Sequence, residues 1–412
     1  MIGEVMSERT GFASRQRRGR LGYNPRLIGL GLLAGGMMGL VWAGSRRRHY
    51  ARHGAPTMIE WERVRRTAHR LIAEPAIDVG WHERWEGYYR DMVARCYPLI
   101  TAEMGRPLPA PVDKIDAFTR TEWIDANIIQ FEKLFDVLEN IYKNVQKPGS
   151  LGALLVGEVS QRLLSTQMGV LMGYLARRVL GQYDLSLLGK EEVSAGRLYF
   201  VEPNIAGVQV ELGLNADDFR LWIALHETTH AYEFEAYPWV REHFNSLLEE
   251  CFALLSDDLM QFGTGVNGLR GMVDRVRSNM TTGENWVEAV MSPEQRALFV
   301  KLQAMMSIIE GYSNYIMNAV GERLLPSYHM IKERIEQRAA NRSRIEKMFI
   351  KITGLALKME QYRLGETFIN EVVARHGIEM ANRVWEGPEF LPTLEELRRP
   401  EDWIARMAVP NS

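Results

Sequence analysis

Five consecutive residues carry a recognisable chemistry: His226, Glu227, Thr228, Thr229 and His230. Asp217 to Leu225 run straight into the first histidine and read as a buried helix. Residues four apart on a helix share a face, so both imidazoles point the same way and can bind one zinc ion. Glu227 stands one residue beyond the first imidazole, where a carboxylate can act as general base toward a zinc-activated water. Asn215, Asp217 and Asp218 suit the helix N-terminus. Leu221, Trp222, Ile223 and Leu225 make the helix apolar nearly all round, which places it inside the protein. Buried polar groups need partners or a metal. The competing reading is a pair of core histidines with hydrogen-bonded partners.

A catalytic zinc commonly takes three protein ligands and leaves a fourth position for water. A histidine six residues after His230 would make a metzincin, but Ala236 stands there, and Glu233 replaces the glycine of that class. A glutamate on a later helix is the other common solution. Glu249 and Glu250 follow His230 by 19 and 20 residues, a thermolysin-like spacing, and His243 follows it by 13. Glu310 is more distant. Helical spacing puts it on a broadly shared face with Leu302, Met306 and Met317, where a carboxylate needs a cation or strong donors. The residues by themselves leave these candidates open.

The elements that must position this chemistry are mostly helical. Periodicity predicts helices over 61–73, 81–104, 119–145, 156–180, 217–237, 239–262, 293–320, 328–340, 345–362, 365–375 and 393–407. Helix 156–180 is apolar over most of its surface and reads as central. Residues 181–184 read as its end. Leu198 to Glu202 is the one convincing strand, stopped by Pro203-Asn204, and a glycine-rich loop is expected over 263–271. The sequence shows no internal repeat, Walker loop, dinucleotide fingerprint or nucleophile elbow.

The 412 residues carry a formal net charge of −2, so nothing in the overall balance suggests nucleic acid as a partner. Cys96 and Cys251 make neither a disulfide framework nor a cysteine zinc site and suit a reducing cytosol. The first 57 residues stand apart as a basic and apolar N-terminal extension with ten Arg and two Glu, leaving residues 58–412 as a separate domain of net charge −10. Within the extension, residues 27–44 are an uncharged run containing six glycines. Eighteen residues at about 1.5 Å rise fall just short of a hydrocarbon core of about 30 Å. A membrane anchor, a disordered extension and a signal peptide are the three readings, so the expected location is cytoplasmic, with membrane association resting on this segment alone.

The whole body, from about Trp61 to Met407, resembles a bacterial family of zincin-like hydrolases and metalloproteases of unknown function, some of whose members are associated with biosynthesis of a deazaflavin coenzyme. The resemblance rests on Leu180-Gly-Gln-Tyr-Asp184, Pro203-Asn204, Asp218-Phe-Arg-Leu-Trp222, Leu225-His-Glu-Thr-Thr-His-Ala231, Pro238-Trp-Val-Arg-Glu-His243 and Ile309-Glu-Gly311. In the tail it adds Gln361-Tyr-Arg363, Asn382-Arg-Val-Trp-Glu386 and Leu391-Pro392. It implies a mainly α (α+β) fold, a helical zincin-like variant with a small edge strand or sheet beside the HExxH helix. It also implies His226 and His230 as zinc ligands, Glu227 as the base and Glu310, before Gly311, as the third ligand over Glu250 and His243. Relatives often carry histidine where this chain has Tyr312.

The expected function is a zinc-dependent hydrolase, foremost a metallopeptidase acting on a peptide or small amide. Tyr312, Tyr315 and His243 are candidate oxyanion donors, each with ordinary packing or helix capping as the simpler role. The alternative is a catalytically silent protein that keeps zinc for structure or for binding a partner, with a link to coenzyme biosynthesis.

Overall fold

The computed structural model describes residues 57, 59–145, 158–184, 196–262, 291–341 and 355–408. The apolar run at 27–44 and the glycine-rich segment at 263–271 lie outside them. Among the described residues, no helix is long and apolar enough to cross a membrane.

Thirteen α-helices and one three-stranded sheet make up these residues. In chain order they are α1 (Trp61–Arg70), α2 (Trp81–Met104), β1 (Lys114–Phe118), α3 (Arg120–Val145), α4 (Glu158–Ala176), β2 (Gly181–Asp184), β3 (Arg197–Val201), α5 (Glu202–Leu212), α6 (Ala216–Glu235), α7 (Pro238–Phe262), α8 (Pro293–Leu324), α9 (Tyr328–Ala340), α10 (Leu355–His376), α11 (Ile378–Asn382), α12 (Leu394–Arg398) and α13 (Pro400–Ala408). The fold is mainly α with a small sheet, as expected.

The sheet order is β1-β3-β2. β3 pairs parallel with β1, Lys114 opposite Arg197, and antiparallel with β2, Gly181 opposite Phe200. β3 is buried along Leu198 to Val201, the continuous apolar pattern of a strand covered on both faces. It is therefore the middle strand. The edge strand beside the HExxH helix is β2, in the segment read from sequence as a helix end. Four residues including a glycine carry too little periodicity to announce a strand. β1 was hidden in the same way behind a proline-rich stretch. β3 ends at Val201, just before Pro203-Asn204 as expected, and Pro203 sits in the first turn of α5, where its missing N–H costs nothing.

The larger hydrophobic core joins α2, α6, α8 and α10 to the sheet. A smaller one lies between α1, α3 and α4, around Val64, Ile124, Ile128 and Met172. Helix α4 is thus peripheral rather than central, and Leu163, Leu164 and Val170 on it are exposed. The expected helix over 393–407 is broken at Arg399, before Pro400, into α12 and α13.

α8 and α10 cross with backbones in contact. A Cβ on Gly365 would lie 1.7 Å from the Ser307 carbonyl oxygen, and one on Gly311 would lie 2.2 Å from the Gly365 carbonyl carbon. Gly311, the residue after Glu310, is therefore set by this crossing. Overpacking of a filled core costs about 1–3 kcal/mol. Gly365→Ala is expected to lower stability by at least about that much, read as a lower urea midpoint at unchanged slope.

Candidate metal centre

α6 presents His226, His230 and Glu233 in one row, because positions i, i+4 and i+7 fall along one helix face. Asn215 caps it as expected, its side-chain oxygen accepting from the N–H groups of Asp217 and Asp218 at 3.0 Å. Caps of this kind are worth about 1 kcal/mol. Arg220, one turn in, is 6 % exposed and forms an ion pair with buried Glu202, the first residue of α5 just after β3. Its Nε donates to Glu202 Oε2 at 3.2 Å, Tyr89 OH donates to the same carboxylate, and the guanidinium lies 4.8 Å from the Trp85 ring centre. A buried pair with this many partners anchors the helix against the sheet without leaving a charge uncompensated.

α8 crosses in front of this row and presents Glu310 and, one turn on, Ser313. The ligand atoms of His226, His230 and Glu310 all lie within 4.8 Å of one another. The two imidazole Nε2 atoms are 3.2 Å apart, and His230 Nε2 lies 4.0 Å from Glu310 Oε2. On the far side of the ring, His230 Nδ1 lies 2.8 Å from Glu233 Oε2 and 3.2 Å from Ser313 Oγ, which also donates to Glu233 Oε1 at 3.1 Å. The side chains of His230 and Glu310 are 13 % and 15 % exposed.

The donor set fits a divalent metal. Two nitrogens each about 2.0–2.1 Å from a tetrahedral ion stand about 3.3 Å apart, close to the separation found here. Without an ion, two such lone pairs face each other only if a proton sits between them. Imidazole and carboxylate donors suit zinc and accept other divalent ions too.

Glu227 lies beside this group and packs on edge strand β2. It is buried and accepts a hydrogen bond from the Tyr183 backbone N–H. A Cβ at Gly181 would come within 2.6 Å of Glu227 Cγ and 2.7 Å of its Oε1, so only glycine leaves room for the carboxylate. β2 is held in turn by Tyr183 OH, which donates to Glu235. Arg241 bridges Tyr183 OH at 2.8 Å and Glu235 Oε1 at 2.6 Å. Gln182 accepts from Trp123 Nε1 at 2.8 Å.

The other sequence candidates fall elsewhere. Glu250 is exposed on α7, 3.5 Å from Ser246 Oγ. His243 is half-buried beside Trp239. Among the described residues, neither joins the group formed by the two histidines and Glu310. Tyr312 is buried on α8, donating to Asn382 and packing edge-on against Trp385. Tyr315 is its ring neighbour. Sequence reasoning missed Gly181, Tyr183 and Ser313, and met Glu233 only as the place of a missing glycine. The segment 180–184 did stand among the residues carrying the family resemblance, which was the available signal for the first two.

Residues 59–404 match the family described as zincin-like metallopeptidase. The chain belongs to the zincin-like metallopeptidase family. A crystal structure described as a putative hydrolase with a novel fold, from Chloroflexus aurantiacus, is similar to this zincin-like chain. The two are 46 % identical, with a TM-score of 0.63, over 85 % of this chain and 98 % of the other. No curated protein matches. A metal, usually zinc, is implied by the family, and the donor chemistry agrees with it.

The electrostatics of the metal-free site follow from burial. Desolvation raises Glu227 to about 7, partly offset by the His230 charge. Burial alone would lower His230, but Glu233, through its charge and hydrogen bond, together with Glu310 and Glu227, raises it to about 9. His230 therefore holds its proton more tightly folded than unfolded. The resulting stabilisation is complete below about 6.5, the ordinary histidine value, and is lost as pH rises through about 9. Raised Glu227 acts in the same direction at lower pH. Metal-free protein is expected to show a melting temperature that falls between pH 6.5 and 9, read by calorimetry in the presence of chelator.

Proposed function

We propose that this protein is a zinc-dependent hydrolase, foremost a metallopeptidase, in which His226, His230 and Glu310 hold the metal and Glu227 is the general base. The observation that carries the reading is the convergence of these three donors within 4.8 Å, with a buried, proton-accepting Glu227 beside them. Zinc held by these residues would lower the pKa of a bound water to about 7 and polarise a carbonyl oxygen.

The chain's own residues supply the rest. Glu227 takes the proton from the attacking water and passes it to the leaving nitrogen. Its raised affinity for a proton suits both halves of that shuttle near neutral pH. The Tyr183 N–H and the glycine at 181 hold its carboxylate in place, so little reorientation is needed during the transfer. A peptide or small amide is the substrate class that this chemistry serves.

Glu227→Gln is expected to reduce hydrolysis of a quenched-fluorescent peptide library by roughly 10²–10⁴-fold, while zinc stoichiometry and circular dichroism stay at wild-type values. Unchanged turnover in that variant would leave a protein that keeps its metal for structure or partner binding. Glu310→Gln is expected to lower zinc content in elemental analysis, whereas Glu250→Gln and His243→Ala retain it. Full zinc retention by the Glu310 variant would remove that residue from the ligand set.

A further inference from the structure

Glu233 is a carboxylate with no solvent exposure. It stands one helical turn beyond His230, and its two oxygens face different partners. Oε2 lies 2.8 Å from His230 Nδ1, and Oε1 accepts from Ser313 Oγ at 3.1 Å. Ser313 Oγ also lies 3.2 Å from the same Nδ1. The serine comes from α8, three residues after Glu310, while the glutamate comes from α6. The far edge of the His230 ring is thus gripped by one group from each of the two helices that meet at the site. The proposed mechanism uses neither group.

A carboxylate in hydrogen-bond contact with one ring nitrogen keeps the proton there and leaves the lone pair on the other. In a metal-bound ring that would keep the proton on Nδ1 and leave the lone pair on Nε2, the nitrogen that faces His226 and Glu310. The carboxylate charge also makes Nε2 a stronger electron donor. Ser313 fixes the carboxylate plane, so that Glu233 cannot rotate away from the ring. A fully buried Glu is costly unless a charge compensates it, and the compensating group within reach is this imidazole with whatever ion it carries.

We propose that Glu233 is the positioning residue of the metal centre, setting the tautomer, orientation and donor strength of His230, with Ser313 locking it in place. This rests on the reading of His226, His230 and Glu310 as metal ligands. The competing role for Glu233 is a hydrogen-bonded staple between α6 and α8 with no influence on the metal. A staple would change stability and leave the electronic environment of a bound ion alone.

The test compares full-length wild type, Glu233→Gln and Ser313→Ala, each stripped of metal and titrated with zinc against a chromophoric chelator and, separately, with cobalt(II). Glutamine keeps an acceptor oxygen of the same length and removes the charge. Partners of this kind are worth about 10–100-fold in metal affinity. Glu233→Gln is expected to weaken zinc by that factor and to shift the visible cobalt bands, with Ser313→Ala giving a smaller change in the same direction. Zinc affinity within about twofold of wild type and superimposable cobalt spectra in both variants would overturn the proposal and leave the staple. If Glu233→Gln does not fold, Ser313→Ala decides alone: shifted cobalt bands support the proposal, and an unchanged spectrum and affinity overturn it. Failure of the wild-type protein to bind either metal would instead overturn the underlying reading of the ligand set, an outcome distinct from the other two.

Discussion

The site is governed by a problem of charge in a place with little water. Three carboxylates, Glu227, Glu233 and Glu310, are brought against two imidazoles where α6 meets α8. Glu233 is fully buried, and Glu227 nearly so. Every buried carboxylate must be neutralised, protonated or hydrogen-bonded. Without an ion the group responds by holding protons, which is why Glu227 is raised and why His230 is raised despite its burial. A divalent cation among the same atoms relieves the repulsion without those protons. The arrangement therefore suits a metal for the same reason that it perturbs the acids around it.

Much of the scaffold serves to make the two donor rows rigid. α6 is pinned near its start by the Asn215 cap and the Arg220–Glu202–Tyr89 cluster. At its end, Glu235 is bound to Tyr183 and Arg241. α8 is pressed against α10 at a crossing where Gly311 and Gly365 leave no room for side chains. Glu310 sits next to that crossing, so its approach to the histidines is set by backbone packing. The supporting charges are paired with each other, away from the two histidines and Glu310. Strand β2 adds the last constraint by bringing a glycine and a backbone N–H against Glu227.

Much of the helical framework could be read from residue patterns, since long amphipathic or apolar segments repeat their signal over many turns. α2, α7 and α9 lie close to their expected bounds. Short elements could not be read. β1 and β2 have five and four residues and owe their conformation to pairing with β3, a tertiary contact that so few residues do not announce. The peripheral place of α4 was equally hidden, because an all-round apolar helix does not reveal which neighbours will cover it.

The amino-acid order alone determined what is local: a capped helix, two imidazoles one turn apart and a glutamate between them, since helical periodicity converts spacing into direction. Its motifs also carried the family. Tertiary structure decided what is distant. It brought Glu310, rather than Glu250 or His243, to face the two histidines, buried Tyr312 in the core and placed Gly181 against Glu227. It also set Ser313 and Glu233 behind His230. None of these follows from spacing, because α6 and α8 are joined through some sixty intervening residues and their relative placement is fixed by packing against the sheet and α10.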